Sequence, residues 1–260
     1  MGRWRSVIVV AGLASLLGLG ACLPATLAGV VTAAGRSEFL GPHQSELERI
    51  IAVLEAERDR RASYVGEIVG VDAARLGLSW RPSCPVGPDQ LRLLRMSYWG
   101  FDGRGHTGEM VVNVRIARKV VDAFRSMWNE QFPINRMDTA EKFTTPADFD
   151  ASGTYIEKSP GPDTVNDTYG FFCRPTTGAS GFSQHAYGLA LDINPVQNPY
   201  VSGPKVVPTN GAPYLVRDPV RPGMNVAGSV SVLALAAQGL KWGGRWRSLK
   251  DYMHFSLNDR

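Results

Sequence analysis

One carboxylate constrains this chain more than any other residue. Asp192 interrupts the run Gly188-Leu189-Ala190-Leu191-Asp192-Ile193, which otherwise reads as a short apolar strand. Period-two alternation puts Ala190 and Asp192 on one face, with Leu189, Leu191 and Ile193 on the other. A carboxylate among apolar neighbours is costly to bury unless it is paired or ligates a metal. Whatever fold the chain adopts must therefore deliver a partner to the Asp192 face. Ala190 is small and leaves room there. His185 lies just before the strand, where a turn at Gly188 can carry it over the same face.

Further partners stand far downstream, in Trp242-Gly243-Gly244-Arg245-Trp246-Arg247-Ser248-Leu249-Lys250-Asp251-Tyr252-Met253-His254-Phe255. Asp251 and His254 are three apart, close enough in a turn to share one cavity. His185, Asp192 and His254 would offer a zinc ion (Zn2+) three N/O ligands and leave the fourth position open, as catalytic sites do. Asp251 would then stand by as general base for a water. Two histidines and a carboxylate also compose the facial triad of non-haem iron oxygenases. Asp251 and His254 can equally form an ordinary surface pair. Of the four histidines, His43 reads as a surface residue at the entry to the first helix. His106, in the glycine-rich Phe101-Asp102-Gly103-Arg104-Gly105-His106, reads as structural or solvated.

Taken together, Ser183-x-His185-x-x-Gly188-x-Ala190-x-Asp192 and the later Asp251-x-x-His254-Phe255 resemble the zinc D-alanyl-D-alanine carboxypeptidase family, the VanY-like peptidases. The resemblance is closest to the subgroup that includes L-alanyl-D-glutamate endopeptidases of phage and bacilli. It covers roughly Leu91 to Phe255 and is dense at Phe171-Phe172-Cys173-Arg174-Pro175, at Asn194-Pro195-Val196-Gln197-Asn198-Pro199-Tyr200 and at Trp242-Gly243-Gly244. It implies a small central antiparallel sheet flanked by helices, of the Hedgehog/DD-peptidase kind. It also implies zinc on His185, Asp192 and His254, with Asp251 as base where many relatives carry glutamate. Arg174 fits by position the arginine that polarises the scissile carbonyl, a role that suits a fixed guanidinium near developing oxyanion charge; it can otherwise pair with a structural carboxylate. The implied substrates are peptidoglycan stem peptides.

Ser183, Tyr187 and Trp242 are candidate substrate contacts, although Ser183 can merely turn the backbone, and Tyr187, Trp242 and Trp246 suit a core as well. The bond cut stays open between terminal D-Ala removal and L-Ala-D-Glu cleavage. A free terminal carboxylate needs a cation nearby, for which Arg217, Arg221, Arg245 and Arg247 are candidates. The alternative to hydrolysis is a cell-wall-binding module that binds without cutting.

The rest of the chain suits a substrate outside the cytoplasm. Arg3 and Arg5 precede a stretch from Ser6 to Gly35 with no charged residue, and Val7–Leu23 has the length of a signal-peptide apolar region with its cleavage zone. Leu19-Gly20-Ala21-Cys22 resembles a bacterial lipobox in which Cys22 would be lipidated. Cleavage near Ala33-Ala34, or retention as an anchor interrupted by Pro24, are the competing readings. Residues 1–35 are therefore expected to be a signal, lipoprotein signal or membrane anchor, 36–75 a helical stalk or packed helix, and 76–260 the peptidase domain.

The two cysteines beyond Cys22, Cys84 and Cys173, are an even pair. An oxidising compartment favours a disulfide between them, worth on the order of 4 kcal/mol by chain entropy; two buried thiols are the alternative. Net charge is +4, and Arg3 and Arg5 account for two of those charges. No Lys/Arg block is left to bind nucleic acid.

From Ser37 to about Val71 the spacing of Leu47, Ile50, Ile51 and Leu54 predicts a helix, with too few heptads for a coiled coil. Asn113 is a candidate N-cap for a helix through Trp128. Tyr169–Arg174, Gly188–Ile193 and Met253–Phe255 read as strands, and Ser229–Gln238 reads as a short helix ended by Gly239. Helices and strands do not alternate regularly, so the expected class is α+β.

Overall fold

The computed structural model describes residues 44–151, 155–156, 158–176 and 181–259. The signal or anchor segment 1–35, its Cys22, and His43 lie outside the described residues. Helix α1 (Gln44–Ala62) carries Glu46 in its first turn and Arg60 and Arg61 in its last, charges that complement the helix dipole. The chain divides into two units within this helix, after Glu57. In the first unit, Ile50, Ile51, Val53 and Leu54 are exposed.

The second unit begins at Arg58. The helix predicted to reach Val71 stops at Ala62, and Gly66–Gly70 forms strand β1 instead. Tyr64 accounts for the change: it is buried, and its hydroxyl donates to the Val121 carbonyl at 2.9 Å. The β-branched Val65, Ile68 and Val69 that follow suit an extended chain. A short helix α2 (Ala73–Leu76) is capped by Asp72, whose carboxylate accepts from the Arg75 amide.

Strands β2 (Leu91–Gly100) and β3 (Gly105–Asn113) form a long antiparallel hairpin. β1 pairs antiparallel with the other edge of β2. The sequence reading missed this hairpin. Asn113 then caps helix α3 (Val114–Asn129) through its side-chain oxygen, as predicted. Ile116, Val120, Val121, Phe124 and Met127 bury the inner face of α3 in a core shared with Leu94, Met96, Met110 and Val112. Strand β4 (Pro133–Ile134) adds a parallel pairing, on β2.

Two smaller sheets carry the rest. β5 (Ala190–Asp192) pairs with β10 (His254–Ser256), and β10 with β8 (Lys241–Trp242). β6 (Tyr200–Ser202) pairs with β7 (Lys205–Val207) on one side and β9 (Lys250–Asp251) on the other. Helix α4 (Val230–Ala237) packs on α3, and Gly239 follows it with φ +83°. The fold is thus α+β, with small antiparallel sheets as predicted, and among the described residues they are three rather than one central sheet.

Tyr169–Arg174 is not a strand. Only Tyr169 makes a bridge, to Asp192. Leu191 and Ile193 face the main core, as the alternation requires. Cys84 and Cys173 form a disulfide beside a second apolar cluster that includes Leu76, Leu93 and Phe171. Among the described residues no helix is long and apolar enough to cross a membrane.

Candidate metal centre and cleft

His185 lies in a 3₁₀ turn, Gln184–Tyr187, whose first amides are met by the Ser183 hydroxyl; this oxygen accepts from His185 N at 3.4 Å. Gly188 ends the turn in the left-handed region, φ +65°. A Cβ there would stand 2.7 Å from the Asn113 amide nitrogen, which donates to the Gly188 carbonyl at 2.8 Å. The turn is thereby seated on the junction of β3 and α3. Asp192 ends β5, and in the antiparallel register its Cα partner on β10 is His254. The strand pairing and the turn together bring all three side chains to one point.

That point is buried. His185, Asp192 and His254 are 1, 2 and 5% exposed. Their facing atoms are 3.1 Å apart for His185 Nε2 and Asp192 Oδ2, 3.2 Å for His254 Nδ1 and Asp192 Oδ1, and 3.3 Å for His185 Nε2 and His254 Nδ1. His185 Nδ1 donates to the Gly170 carbonyl at 2.7 Å, which leaves Nε2 with its lone pair toward the cluster. Burial lowers the His185 pKa, with Asp192 opposing the fall. Burial also penalises the Asp192 charge, yet the two histidines hold its carboxyl below the usual carboxylate range.

An imidazole lone pair and an ionised carboxylate are what a metal site needs from such residues. Ligand atoms about 2.0–2.1 Å from a tetrahedral zinc stand about 3.3 Å from one another, close to the separations found. The donor set fits the ion that the sequence resemblance implies.

The cluster opens into a cleft of about 390 Å³ that also holds Arg174, Ser183, Trp246 and Asp251. Asp251 lies on β9, opposite Tyr200. Its Oδ1 is buried with no hydrogen-bond partner. Burial pushes its carboxyl up to about 7, with His254 opposing the rise and Asp192 and Asp163 adding to it. Arg174 directly follows the disulfide. Burial works against its charge, but Tyr169 and Asp163 outweigh that, and the guanidinium stays cationic. The Trp246 ring stands 5.6 Å from that of His254.

The other predicted contacts fall elsewhere. Tyr187 packs against the second apolar cluster, and its carbonyl accepts from Asn113 Nδ2. Trp242 is a core residue of β8 whose indole donates to the Tyr252 carbonyl. Neither is among the residues that line the cleft, and both take the core reading that the sequence left open. Arg217 is consumed by four acceptors, the carbonyls of Gln197, Tyr214 and Asn225 and the Asn198 side chain. Arg221 stacks on Tyr214, while Arg245 and Arg247 are exposed; none of these four arginines lines the cleft. His106 pairs with Asp102 at the exposed tip of the β2–β3 hairpin, in line with its expected bland role.

Two residues that sequence reasoning passed over belong here. Tyr169 is fully buried, with its ring stacked 5.1 Å from His185 and its backbone exchanging two hydrogen bonds with Asp192; its hydroxyl accepts from Arg174 at 3.4 Å. Asp163 lines the cleft near Arg174. The one available signal was Tyr169's place in the run leading to Arg174.

A buried His-Asp-His cluster, a carboxylate with one buried oxygen and a guanidinium thus line one cleft. Residues 177–257 match the model of a peptidase family described as D-alanyl-D-alanine carboxypeptidase. This bears out the resemblance read from the sequence and supports a zinc-type peptidoglycan peptidase in general. The matched segment includes His185, Asp192, Asp251 and His254, whereas Arg174 precedes it. No solved structure matches the chain.

Proposed function

We propose that the protein is an extracytoplasmic zinc metallopeptidase that hydrolyses peptidoglycan stem peptides, of the D-Ala-D-Ala carboxypeptidase or L-Ala-D-Glu endopeptidase type. The observation that carries this reading is the single cleft holding His185, Asp192, His254, Asp251 and Arg174. His185, Asp192 and His254 would hold the ion. When bound, zinc supplies Lewis acidity toward the scissile carbonyl and acidifies water.

Asp251 removes a proton from the attacking water as its oxygen bonds to the amide carbon. A carboxyl that burial has raised to about 7 is well matched to accept and then release a proton near neutral pH. Arg174 faces the negative charge that develops on the carbonyl oxygen. Asp251 then returns the proton to the leaving amine as the C–N bond breaks. Ser183, on the cleft wall, would hydrogen-bond the peptide.

The carboxylate beside the cluster and the family match favour hydrolysis over oxygenase chemistry. The Cys84–Cys173 disulfide supports an oxidising compartment. Membrane attachment through the amino-terminal segment, with or without lipid on Cys22, belongs to the same reading.

The test is mass spectrometry of defined muropeptides incubated with the zinc-loaded full-length chain. Loss of one terminal alanine identifies a carboxypeptidase, and a released peptide beginning with glutamate identifies an endopeptidase. Asp251→Asn is expected to lower turnover by at least a hundredfold while zinc stays bound, on the scale of general-base catalysis. An Asp251→Asn protein with full activity sinks the mechanism, and binding of muropeptides without cleavage by the wild type leaves a wall-binding module.

A further inference from the structure

The cleft does not end at Arg174. A second lobe of about 400 Å³ shares Asp163, Arg174, Thr176 and Val207 with the first and continues between Tyr155, Phe172 and Lys205. The charges of the two lobes differ in sign. The catalytic lobe is lined by three carboxylates, Asp163, Asp192 and Asp251, against one guanidinium. Among the described residues, the second lobe sets Arg174 and Lys205 against Asp163. Asp163 lies near enough to Arg174 to favour its charge, which among the described residues leaves Lys205 as the cation without an opposing carboxylate. No ion pair among the described residues engages Lys205, and it is exposed on β7.

The sheet that places Lys205 also places Asp251. In the order β7-β6-β9, Asp251 pairs with Tyr200 and Lys205 with Ser202. Lys205 and Val207 are two apart on one strand and so point to one face, the face that Val207, Tyr200 and Asp251 turn to the cleft. Two strand spacings across and two residues along separate the Cα atoms by about 12 Å. Extended peptide covers that span in roughly three to four residues.

The geometry points to the second lobe as a carboxylate-reading subsite in which Lys205 binds an acidic group of the substrate peptide roughly three residues from the bond that is cut. This inference rests on the peptidase reading and extends it. A carboxylate is disfavoured beside Asp192 and Asp251 and favoured beside Lys205, while Tyr155 and Phe172 give the intervening residues an apolar wall. The acidic group has two sources in a stem peptide, the terminal carboxylate or an internal one, and they are separable by chemistry.

Calorimetric binding to the zinc-loaded, full-length Asp251→Asn protein tests the subsite independently of turnover. The probes are a stem pentapeptide with all carboxylates free, the same peptide amidated at its terminus, and the same peptide amidated at its internal carboxylates. One amidation is expected to weaken binding about three- to tenfold, the range of a charge-assisted contact at a partly exposed rim, and thereby to name the source. In Lys205→Met that difference should vanish, and Lys205→Arg should restore it.

Equal binding of all three peptides, a difference that persists in Lys205→Met, or no binding at all overturns the subsite. Cleavage of muropeptides by the wild type alongside any of those results leaves the peptidase reading standing. A Lys205-dependent difference in a protein that cleaves nothing upholds the subsite and overturns the peptidase.

Discussion

At Gly188 the backbone takes φ +65°, and the space a side chain would need is already filled by the Asn113 amide. The position sits directly after the turn that presents His185, so its strain and the ligand's placement are one problem. Gly188→Ala is expected to cost about 1–3 kcal/mol, read as a lower denaturant midpoint, and to weaken metal binding by displacing the turn. Unchanged affinity in a destabilised variant would show that His185 is held by Gly170 alone. At this scale the sequence was informative for residues whose chemistry is unusual in their surroundings. Asp192 in an apolar strand advertised its need for partners, and His185, Asp251 and His254 sit as expected. Tyr169 did not advertise itself, because an aromatic residue in an apolar run is normal, and only its contacts with His185, Asp192 and Arg174 distinguish it. Tyr187 and Trp242 could be read as core or as cleft for the same reason: side-chain identity does not say which wall an aromatic residue packs on.

Among the elements, α3 was legible because its apolar spacing and its Asn113 cap agree. The β2–β3 hairpin was not, and the cause is physical. β2 buries residues on both faces, so Leu91-Arg92-Leu93-Leu94-Arg95-Met96 shows no clean alternation, and two glycines break up β3. The disulfide ties the segment before Arg174 to the loop at Cys84, 89 residues earlier. Replacing both cysteines by serine should cost about 2–4 kcal/mol, and wild type in reductant should unfold at the same denaturant midpoint as the variant. Midpoints that stay apart would mean the serines disturb more than the crosslink.

Asp148 ties another loop to its neighbour. Its carboxylate accepts from the Thr145 amide and hydroxyl and from the amides of Lys158 and Ser159. Burial works against that charge, but these donors hold the carboxyl below its usual value of 3.8. A group whose pKa is lower folded than unfolded contributes stability above the unfolded value and loses it as pH falls through the folded one. Wild type should therefore lose stability below about pH 4. Asp148→Asn should already be weaker by on the order of 2 kcal/mol at pH 7, with a flatter acid limb in a Tm series. Parallel Tm curves for the two proteins would exclude Asp148 as a source of the acid sensitivity.

For the molecule as a whole, the ligands bind together parts that the chain keeps far apart. His185 and His254 are 69 residues apart in sequence, yet their ring nitrogens stand 3.3 Å apart. An ion bound there stabilises the folded state by RT ln(1 + [L]/Kd). At a hundredfold excess over Kd that is about 2.7 kcal/mol, so chelation should lower Tm by several degrees and zinc should restore it. A Tm indifferent to chelator would remove the cluster from the list of metal sites.

The pairing of Asp192 with His254 has one more consequence. Side chains on a strand alternate faces, so a slip of β10 by a single residue would turn Phe255 toward the cleft and drive His254 into the apolar core. Circular dichroism would scarcely distinguish the slipped sheet from the correct one, because both contain the same amount of strand. The slipped sheet could not assemble three ligands. Metal stoichiometry is therefore a proofreading signal for this fold: the fraction of chains that load an ion counts the fraction whose strands are aligned to the residue.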